Sequence, residues 1–172
     1  MDGADTSHLI IYERVAEAIN FNMKGRLFVS DSNETTRPET EDLALACAAL
    51  ALDKKGIDPV IFRVTERTSY TDFFVITEAQ SERQASAIAR HIEDTMRRAG
   101  VKPVGVEGKN DGNWILIDFG DFIVHVFLDT ARYYYDMDGL WRDAPQVEMD
   151  EERSQQILDM LSQREPQGEH SS

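Results

Sequence analysis

The chain has little of what stabilises a secreted protein or anchors one in a bilayer. It holds one cysteine, Cys47, among 172 residues, so it forms no intrachain disulfide and no cysteine-only zinc site. No uncharged apolar stretch approaches the ~20 residues that a bilayer-spanning helix needs. Residues 1–5 carry acidic but no basic side chains, whereas a secretory signal begins with positive charge. We therefore expect a cytoplasmic protein with no membrane partner.

Positive charge is also scarce. The 18 Lys and Arg residues stand against 32 Asp and Glu residues, which gives a net charge of −14. Such an excess of acid argues against direct reading of nucleic acid and makes a basic partner more plausible. The excess is concentrated in residues 39–150, which hold 21 acidic and 12 basic residues.

The hydropathy pattern divides the chain into three parts. Residues 1–38 predict an N-terminal extension made of a short helix and a polar linker. Residues 39–150 predict the folded body, whose length suits one domain. Residues 151–172 predict a C-terminal extension made of a short amphipathic helix and a polar tail.

Within the body, the periodicity predicts helices over residues 41–55 and 82–99. A Ser81–Gln84 capping box opens the second helix, and its charged positions, Glu93 among them, are expected to lie off the buried stripe. Strands are predicted over residues 59–64, 72–77, 101–106, 114–118 and 122–127, and two short helical turns follow. Two helices cannot cover both faces of five strands, so we expect a single α/β domain with a mixed sheet and helices packed on it.

The first predicted helix is apolar on two sides. Leu43, Ala46, Cys47 and Leu50 form one stripe, and a second stripe holds Leu45, Ala49 and Leu52. A helix of this kind is buried on both sides, and the sheet can cover only one. We expect the second stripe to be covered by the N-terminal helix, through Ile11, Val15, Ala18 and Ile19, or by a second copy of the chain in a homodimer.

Complete catalytic motifs are absent from the sequence. There is no nucleophile elbow, Walker loop, dinucleotide-binding glycine motif or zinc-protease motif. Residues 118–121 spell DFGD, which we interpret as a tight turn in which glycine supplies backbone freedom and aspartate caps the turn. His125 is expected to be a hydrogen-bonded core residue, and Cys47 a small hydrophobe. No cofactor is predicted.

One enzymatic alternative stays open at this point. Glu107, Asp118 and Asp121 come close in space if the strands pair as expected, and clustered carboxylates can hold magnesium for nucleotidyl or phosphoryl transfer. Such chemistry also wants a basic or glycine-rich phosphate cradle, which the sequence lacks. The competing interpretation is turn caps on a solvated acidic face.

Trp114 is the residue most typical of a binding site. It follows the polar loop of residues 109–113 at the start of a strand, and Leu116 and Asp118 share its face. A tryptophan at the rim of a sheet is either core or the anchor of an interface, and pattern alone does not decide between them. The same question applies to the run Tyr133, Tyr134 and Tyr135 and to Trp141, because helical spacing would bury some of these rings and expose others.

Several segments of the body together resemble the ribosomal silencing factor family, also called the Iojap family, or RsfS in bacteria. The resemblance covers about residues 42–145, and its strength lies in the number, order and spacing of the pieces. They are residues 51–56 (ALDKKG), 72–76 (DFFVI), 81–84 (SERQ), 106–108 (VEG), 113–115 (NWI), 118–121 (DFGD), 124–127 (VHVF) and 135–141 (YDMDGLW).

The resemblance implies a function without catalysis. The family binds the large ribosomal subunit at its fourteenth protein, obstructs joining with the small subunit and represses translation in starved or stationary cells. It also implies a sheet similar to that of nucleotidyltransferases, without the glycine–serine and Asp-x-Asp motifs of those enzymes. By the same resemblance, Trp114 belongs to the ribosome-contacting surface, and Leu116, Asp118, Tyr135 and Trp141 are candidates by proximity and chemistry.

Overall fold

A computed structural model describes residues 39–164 of the chain. All described residues lie in one compact unit. They form a five-stranded mixed sheet with helices packed on it, which confirms the expected fold class. The strands are β1 (Ile57–Arg63), β2 (Phe73–Ala79), β3 (Gly105–Glu107), β4 (Trp114–Asp118) and β5 (Phe122–Leu128). The helices are α1 (Thr40–Asp53), α2 (Glu82–Arg98), α3 (Asp129–Tyr135), α4 (Met137–Leu140) and α5 (Glu151–Ser162).

The strands lie in the order β1-β2-β5-β4-β3. β2 and β5 run parallel at the centre, and the other neighbouring pairs are antiparallel. Both central strands are buried along almost their whole length, which is typical of parallel strands covered on two faces. The expected similarity to nucleotidyltransferases stays a prediction.

Helices α1 and α2 pack on one face of the sheet. α2 begins at the expected residue, because the Ser81 hydroxyl accepts a hydrogen bond from the Gln84 N–H at 3.2 Å. Its buried stripe is also the expected one, and it faces strand residues such as Val75 and Val124 across the hydrophobic core. The buried members of that stripe are Ala85, Ile88, Ala89, Ile92 and Met96.

The expectation for Glu93 is wrong. This residue of α2 is buried, not off the buried stripe. Its carboxylate lies 2.8 Å from Lys109 Nζ, in the loop before β4, and 3.4 Å from Arg97 Nη2. Partners of opposite charge reduce the cost of burying a carboxylate, and the periodicity of α2 alone gives no sign of the partner in the loop.

The third strand is shorter than expected. Residues 101–106 were expected to be extended throughout, but β3 covers only Gly105–Glu107. Pro103 has no N–H to donate to a ladder, and Val104 makes a single backbone bond, to the Asp118 carbonyl at 2.7 Å. The pairing therefore begins only after this residue.

The C-terminal helix belongs to the core of the body. α5 packs against α1 and adds Ile157 and Leu161 to the hydrophobic core. The Arg153 guanidinium donates to Asp42 at 2.6 and 3.1 Å and to Glu41 at 3.1 Å, which ties α5 to the first turn of α1. Residues 151–162 are thus packed with the body, where the sequence suggested an extension.

This packing gives α1 a second helix neighbour, besides α2, that the sequence did not suggest. In the second stripe Leu45 is fully buried, whereas Leu52 remains 46% exposed. The proposed covering residues Ile11, Val15, Ala18 and Ile19 lie outside the described residues. Within residues 39–164, no helix is long and apolar enough to cross a membrane.

Candidate functional site

The candidate site residues lie on the face of the sheet opposite α1 and α2. Alternation along β4 places Trp114, Leu116 and Asp118 on one face, as expected. Their cross-strand partners on β5 are Phe127, His125 and Ile123, and partners directly opposite point to the same side. We call the rings gathered on this side the aromatic face; its members are Phe74, Trp114, His125, Phe127, Tyr135 and Trp141.

The Trp114 indole is held in place by three rings. Its ring centroid lies 4.9 Å from those of Phe127 and Tyr135 and 5.7 Å from that of His125. Its Nε1–H donates to His125 Nδ1 at 3.0 Å. The side chain is half-buried, so one part of the ring is fixed by packing while another part meets solvent. Trp114 is therefore supported by its neighbours and also partly exposed.

The loop before β4 brings the chain close to Trp114 at a glycine. Gly108 has φ +83°, and a Cβ at this position would lie 1.9 Å from the Trp114 carbonyl oxygen. Only glycine tolerates both the left-handed backbone and this approach. The loop thus fixes the start of β4 and, because Trp114 is its first residue, the position of the indole.

His125 is a buried neutral acceptor. Burial lowers the pKa of His125 from 6.5 to about 3, so the imidazole is uncharged at neutral pH. Because Nδ1 accepts the indole N–H, the ring proton belongs on Nε2, and Nε2 has no hydrogen-bond partner within residues 39–164. The expectation of a hydrogen-bonded core histidine is confirmed.

We expect the depressed His125 pKa to make the body less stable in mild acid. Below about pH 6.5 the unfolded chain binds a proton that the folded chain rejects until about pH 3. The free energy of unfolding should therefore fall with pH in this window, by about 2 kcal/mol between pH 7 and pH 5. Urea denaturation at the two pH values measures the loss.

His125→Gln is the matched control, because a glutamine oxygen can still accept the indole N–H without titrating. Its loss between pH 7 and pH 5 should be smaller than that of the wild type by about the 2 kcal/mol assigned to His125. Equal losses in the two proteins would show that His125 does not control this dependence.

Tyr135 and Trp141 reach the aromatic face through a tight connection between α3 and α4. Asp136, at φ +44°, ends α3 in the left-handed conformation and caps α4 by accepting from the Gly139 N–H at 3.0 Å. Arg132 makes a bidentate pair with Asp138 at 2.9 and 3.0 Å and donates to the Ile57 carbonyl at 3.3 Å. The short helices are thereby tied to the end of the sheet.

The five candidate residues differ in exposure. Trp114 and Tyr135 are partly exposed, whereas Leu116, Asp118 and Trp141 are buried in this structure. Trp141 packs edge-on against Phe74 with 5.0 Å between ring centroids. The structure therefore brings all five to one side of the sheet but exposes only two of them.

The tyrosine run and its surroundings hold large exposed side chains, of which the sequence pattern did not single out Leu140. Tyr133 is 89% exposed, and Tyr134 and Leu140 are about half exposed. Tyr134 lies edge-on to Tyr135, with 5.1 Å between centroids. The run of three tyrosines indicated that some rings would be exposed. Which ring points outward depends on how α3 is rotated about its axis.

The carboxylates of the enzymatic alternative have structural roles or lie apart. Asp118 Oδ1 accepts the Gly120 N–H at 2.7 Å, and Gly120 has φ +93°, as the turn-cap interpretation predicts. Among residues 39–164, no three His, Cys, Asp or Glu side chains are placed to hold a metal ion. Cys47 is fully buried, and this burial raises the pKa of its thiol, consistent with a small hydrophobe.

The fold and the aromatic face define the class of protein: an acidic α/β domain that presents a supported tryptophan and neighbouring tyrosines, aromatic residue types that are enriched at interfaces. A family model described as "Ribosomal silencing factor during starvation" matches residues 37–171. The chain belongs to the ribosomal silencing factor family. This is a family of silencing factors and not a known enzyme family, so the magnesium-dependent alternative is not favoured.

Several relatives carry the family name. The ribosomal silencing factor RsfS of Bacillus subtilis is 37% identical over 107 residues, covering 62% of this chain and 91% of the relative. RsfS of Chromobacterium violaceum is 39% identical over 97 residues, covering 56% and 79%. The chloroplastic protein Iojap of Arabidopsis thaliana is 29% identical over 136 residues, covering 75% and 57%.

Solved structures agree with the fold. A crystal structure of a Chromobacterium violaceum protein has a TM-score of 0.59 and 33% identity, and covers 61% of this chain and 88% of its own. One from Bacillus halodurans has a TM-score of 0.56 and 33% identity, and covers 63% and 98%.

Proposed function

We propose that this protein silences ribosomes by binding the free large subunit at its fourteenth protein, which blocks joining with the small subunit and represses translation. The proposed setting is the cytoplasm during starvation or stationary phase. The observation that carries the proposal is the partly exposed Trp114, supported by His125, Phe127 and Tyr135 on a domain of this family.

Charge supports a ribosomal protein as the partner. Ribosomal proteins are generally basic, and residues 39–150 carry 21 acidic and 12 basic side chains. An acidic domain is steered toward a basic surface and docks there faster at low salt. Asp129 at the start of α3 and Asp136 between α3 and α4 are both exposed, so acidic side chains lie near the tyrosines.

The proposed division of labour follows the exposure of the five candidates. Trp114 and Tyr135 touch the partner, because they are partly exposed. Leu116, Asp118 and Trp141 hold the face in shape: Asp118 caps the turn between β4 and β5, and Trp141 packs on Phe74. Blocking subunit joining needs only a bound body in the path of the small subunit, so no reaction is required.

Gradient sedimentation with purified subunits tests the proposal. The protein should travel with isolated large subunits, should not travel with small subunits, and should reduce the fraction of joined ribosomes when added before mixing. Bovine serum albumin, an unrelated acidic protein, is the control for charge alone. A protein that neither travels with large subunits nor lowers the joined fraction would refute the proposed function.

A further inference from the structure

A second surface stands out against the acidic body: the outward face of α2. With ~3.6 residues per turn, positions 83, 87, 90, 94, 97 and 98 lie on the side away from the buried stripe. Four of these six are arginines, and the single acid is Asp94. We call Arg83, Arg90, Arg97 and Arg98 the arginine stripe; all four are exposed.

Nearby acids offset only part of the positive charge of the stripe, namely exposed Asp94 on the same face and Glu93, which contacts Arg97. Buried Glu93 is paired with Lys109 at 2.8 Å as well as with Arg97. Asp53 lies 3.3 Å from His91 Nε2. Within residues 39–164, no carboxylate lies within ion-pair distance of Arg83 or Arg90.

Two lysines extend the positive surface at one end. The Gln84 side-chain amide donates to the carbonyls of Lys54 and Lys55 at 3.1 and 2.8 Å, so this turn adjoins the start of α2. Both lysines are exposed. From Arg83 to Arg97 the helix rises about 21 Å, so the positive charge is spread along the helix and not concentrated at one position.

We infer that the arginine stripe binds the phosphate backbone of RNA next to the docking position on the large subunit. A row of exposed arginines suits phosphates, which accept charge-assisted bonds from the guanidinium fork. The side chains between them, Ser86 and Ala87, are small, and no aromatic ring on this face could stack on a base. The contact would therefore position the protein without reading sequence.

A bilayer surface fits this face less well. A helix that lies on a membrane inserts an apolar side flanked by positive charge, whereas the apolar side of α2 is buried against the sheet. The inference rests on the proposed function, since that function places the protein on a particle rich in RNA. Because α2 and the aromatic face lie on opposite faces of the sheet, the two surfaces would meet two different components.

The first test compares two triple variants of the full chain. Arg83→Gln, Arg90→Gln and Arg98→Gln together remove three charges and leave Arg97 to pair with buried Glu93. The same three positions changed to Lys keep the charge. We expect the glutamine triple to bind isolated large subunits about tenfold more weakly at low salt, with the slope of log K against log salt reduced by about 2. The lysine triple should stay within about threefold of the wild type.

Binding to the isolated fourteenth protein separates this inference from the proposed function. The glutamine triple should bind that protein as the wild type does. Unchanged affinity of the glutamine triple for large subunits would overturn the arginine-stripe inference alone. A wild-type chain that binds neither the subunit nor the isolated protein would overturn the proposed function as well.

The second test distinguishes RNA from an acidic protein. Because native Cys47 is buried, Ala87→Cys supplies an accessible thiol on the outward face of α2, between Arg83 and Arg90. An iron chelate attached to it generates hydroxyl radicals that cut nearby RNA. Cleavage of ribosomal RNA at a few clustered positions is expected in the complex with large subunits. A complex that forms but shows no RNA cleavage, or cleavage of protein only, would overturn the inference.

Discussion

Trp114→Ala should weaken binding to large subunits by about thirtyfold or more. Loss of an aromatic anchor typically costs 2 kcal/mol or more of binding free energy, and ~1.4 kcal/mol corresponds to a factor of ten. The substitution should also lower the free energy of unfolding. The indole packs on Phe127 and Tyr135 and donates to His125, so its loss leaves the buried His125 Nδ1 without a donor. We expect the variant to remain folded and to lose about 2 kcal/mol of unfolding free energy.

The other tryptophan of the chain is the matched control. Trp141 is 7% exposed and packs on Phe74, so Trp141→Ala should cost about 3–5 kcal/mol of stability as a large-to-small change in a core. At a temperature where circular dichroism shows both variants folded, sedimentation should report a larger affinity loss for Trp114→Ala. Equal binding by wild type and Trp114→Ala would place the ribosomal contact elsewhere.

Asp118→Lys is a poorer test of charge than the sequence suggests. If Asp118 were an exposed acid at the rim of the sheet, it would attract a basic partner, and its replacement by lysine would weaken docking directly. In the structure it is buried and accepts the Gly120 N–H, so a lysine there would disrupt the turn before it could repel a partner. The exposed Asp129 is the better site for a charge reversal, because the one hydrogen bond that its carboxylate makes within residues 39–164 is with the N–H of the adjacent Thr130.

Local chemistry explains what the sequence could predict. Period-two alternation is a property of each strand by itself, so Trp114, Leu116 and Asp118 could be placed on one face without knowing their neighbours. The turn at Gly120 follows from residue chemistry at four adjacent positions. The start of α2 likewise depends on Ser81 and Gln84, three residues apart.

The features that the sequence could not predict depend on contacts between segments that are distant in the chain. The hydrogen bond between Trp114 and His125 depends on the register of β4 against β5. The burial of Trp141 depends on how the end of α4 packs against Phe74 of β2. Glu93 is buried because a loop supplies Lys109. A hydropathy pattern records none of these pairings, since each requires the tertiary fold to be known.

The packing of α5 on α1 joins segments that are far apart in the chain. It also predicts a second large effect, on the stability of the body. Arg153 and Asp42 are separated by 111 positions in the chain. Ile157 and Leu161, one turn apart on α5, are 4% and 2% exposed and belong to the main core. Ile157→Ala and Leu161→Ala should each lower the free energy of unfolding by about 2–4 kcal/mol, measured by urea denaturation at neutral pH.

Two further variants of α5 show whether the apolar contacts or the ion pairs hold the helix. Met160 is 41% exposed, so Met160→Ala should change stability by less than about 1 kcal/mol. The Arg153 side chain is 42% exposed, and pairs so open to solvent contribute about 0–1 kcal/mol; Arg153→Ala should therefore also be mild. If Ile157→Ala proves as mild as Met160→Ala, α5 is not packed on α1 in solution and the folded body ends near residue 150, where the sequence suggested its boundary.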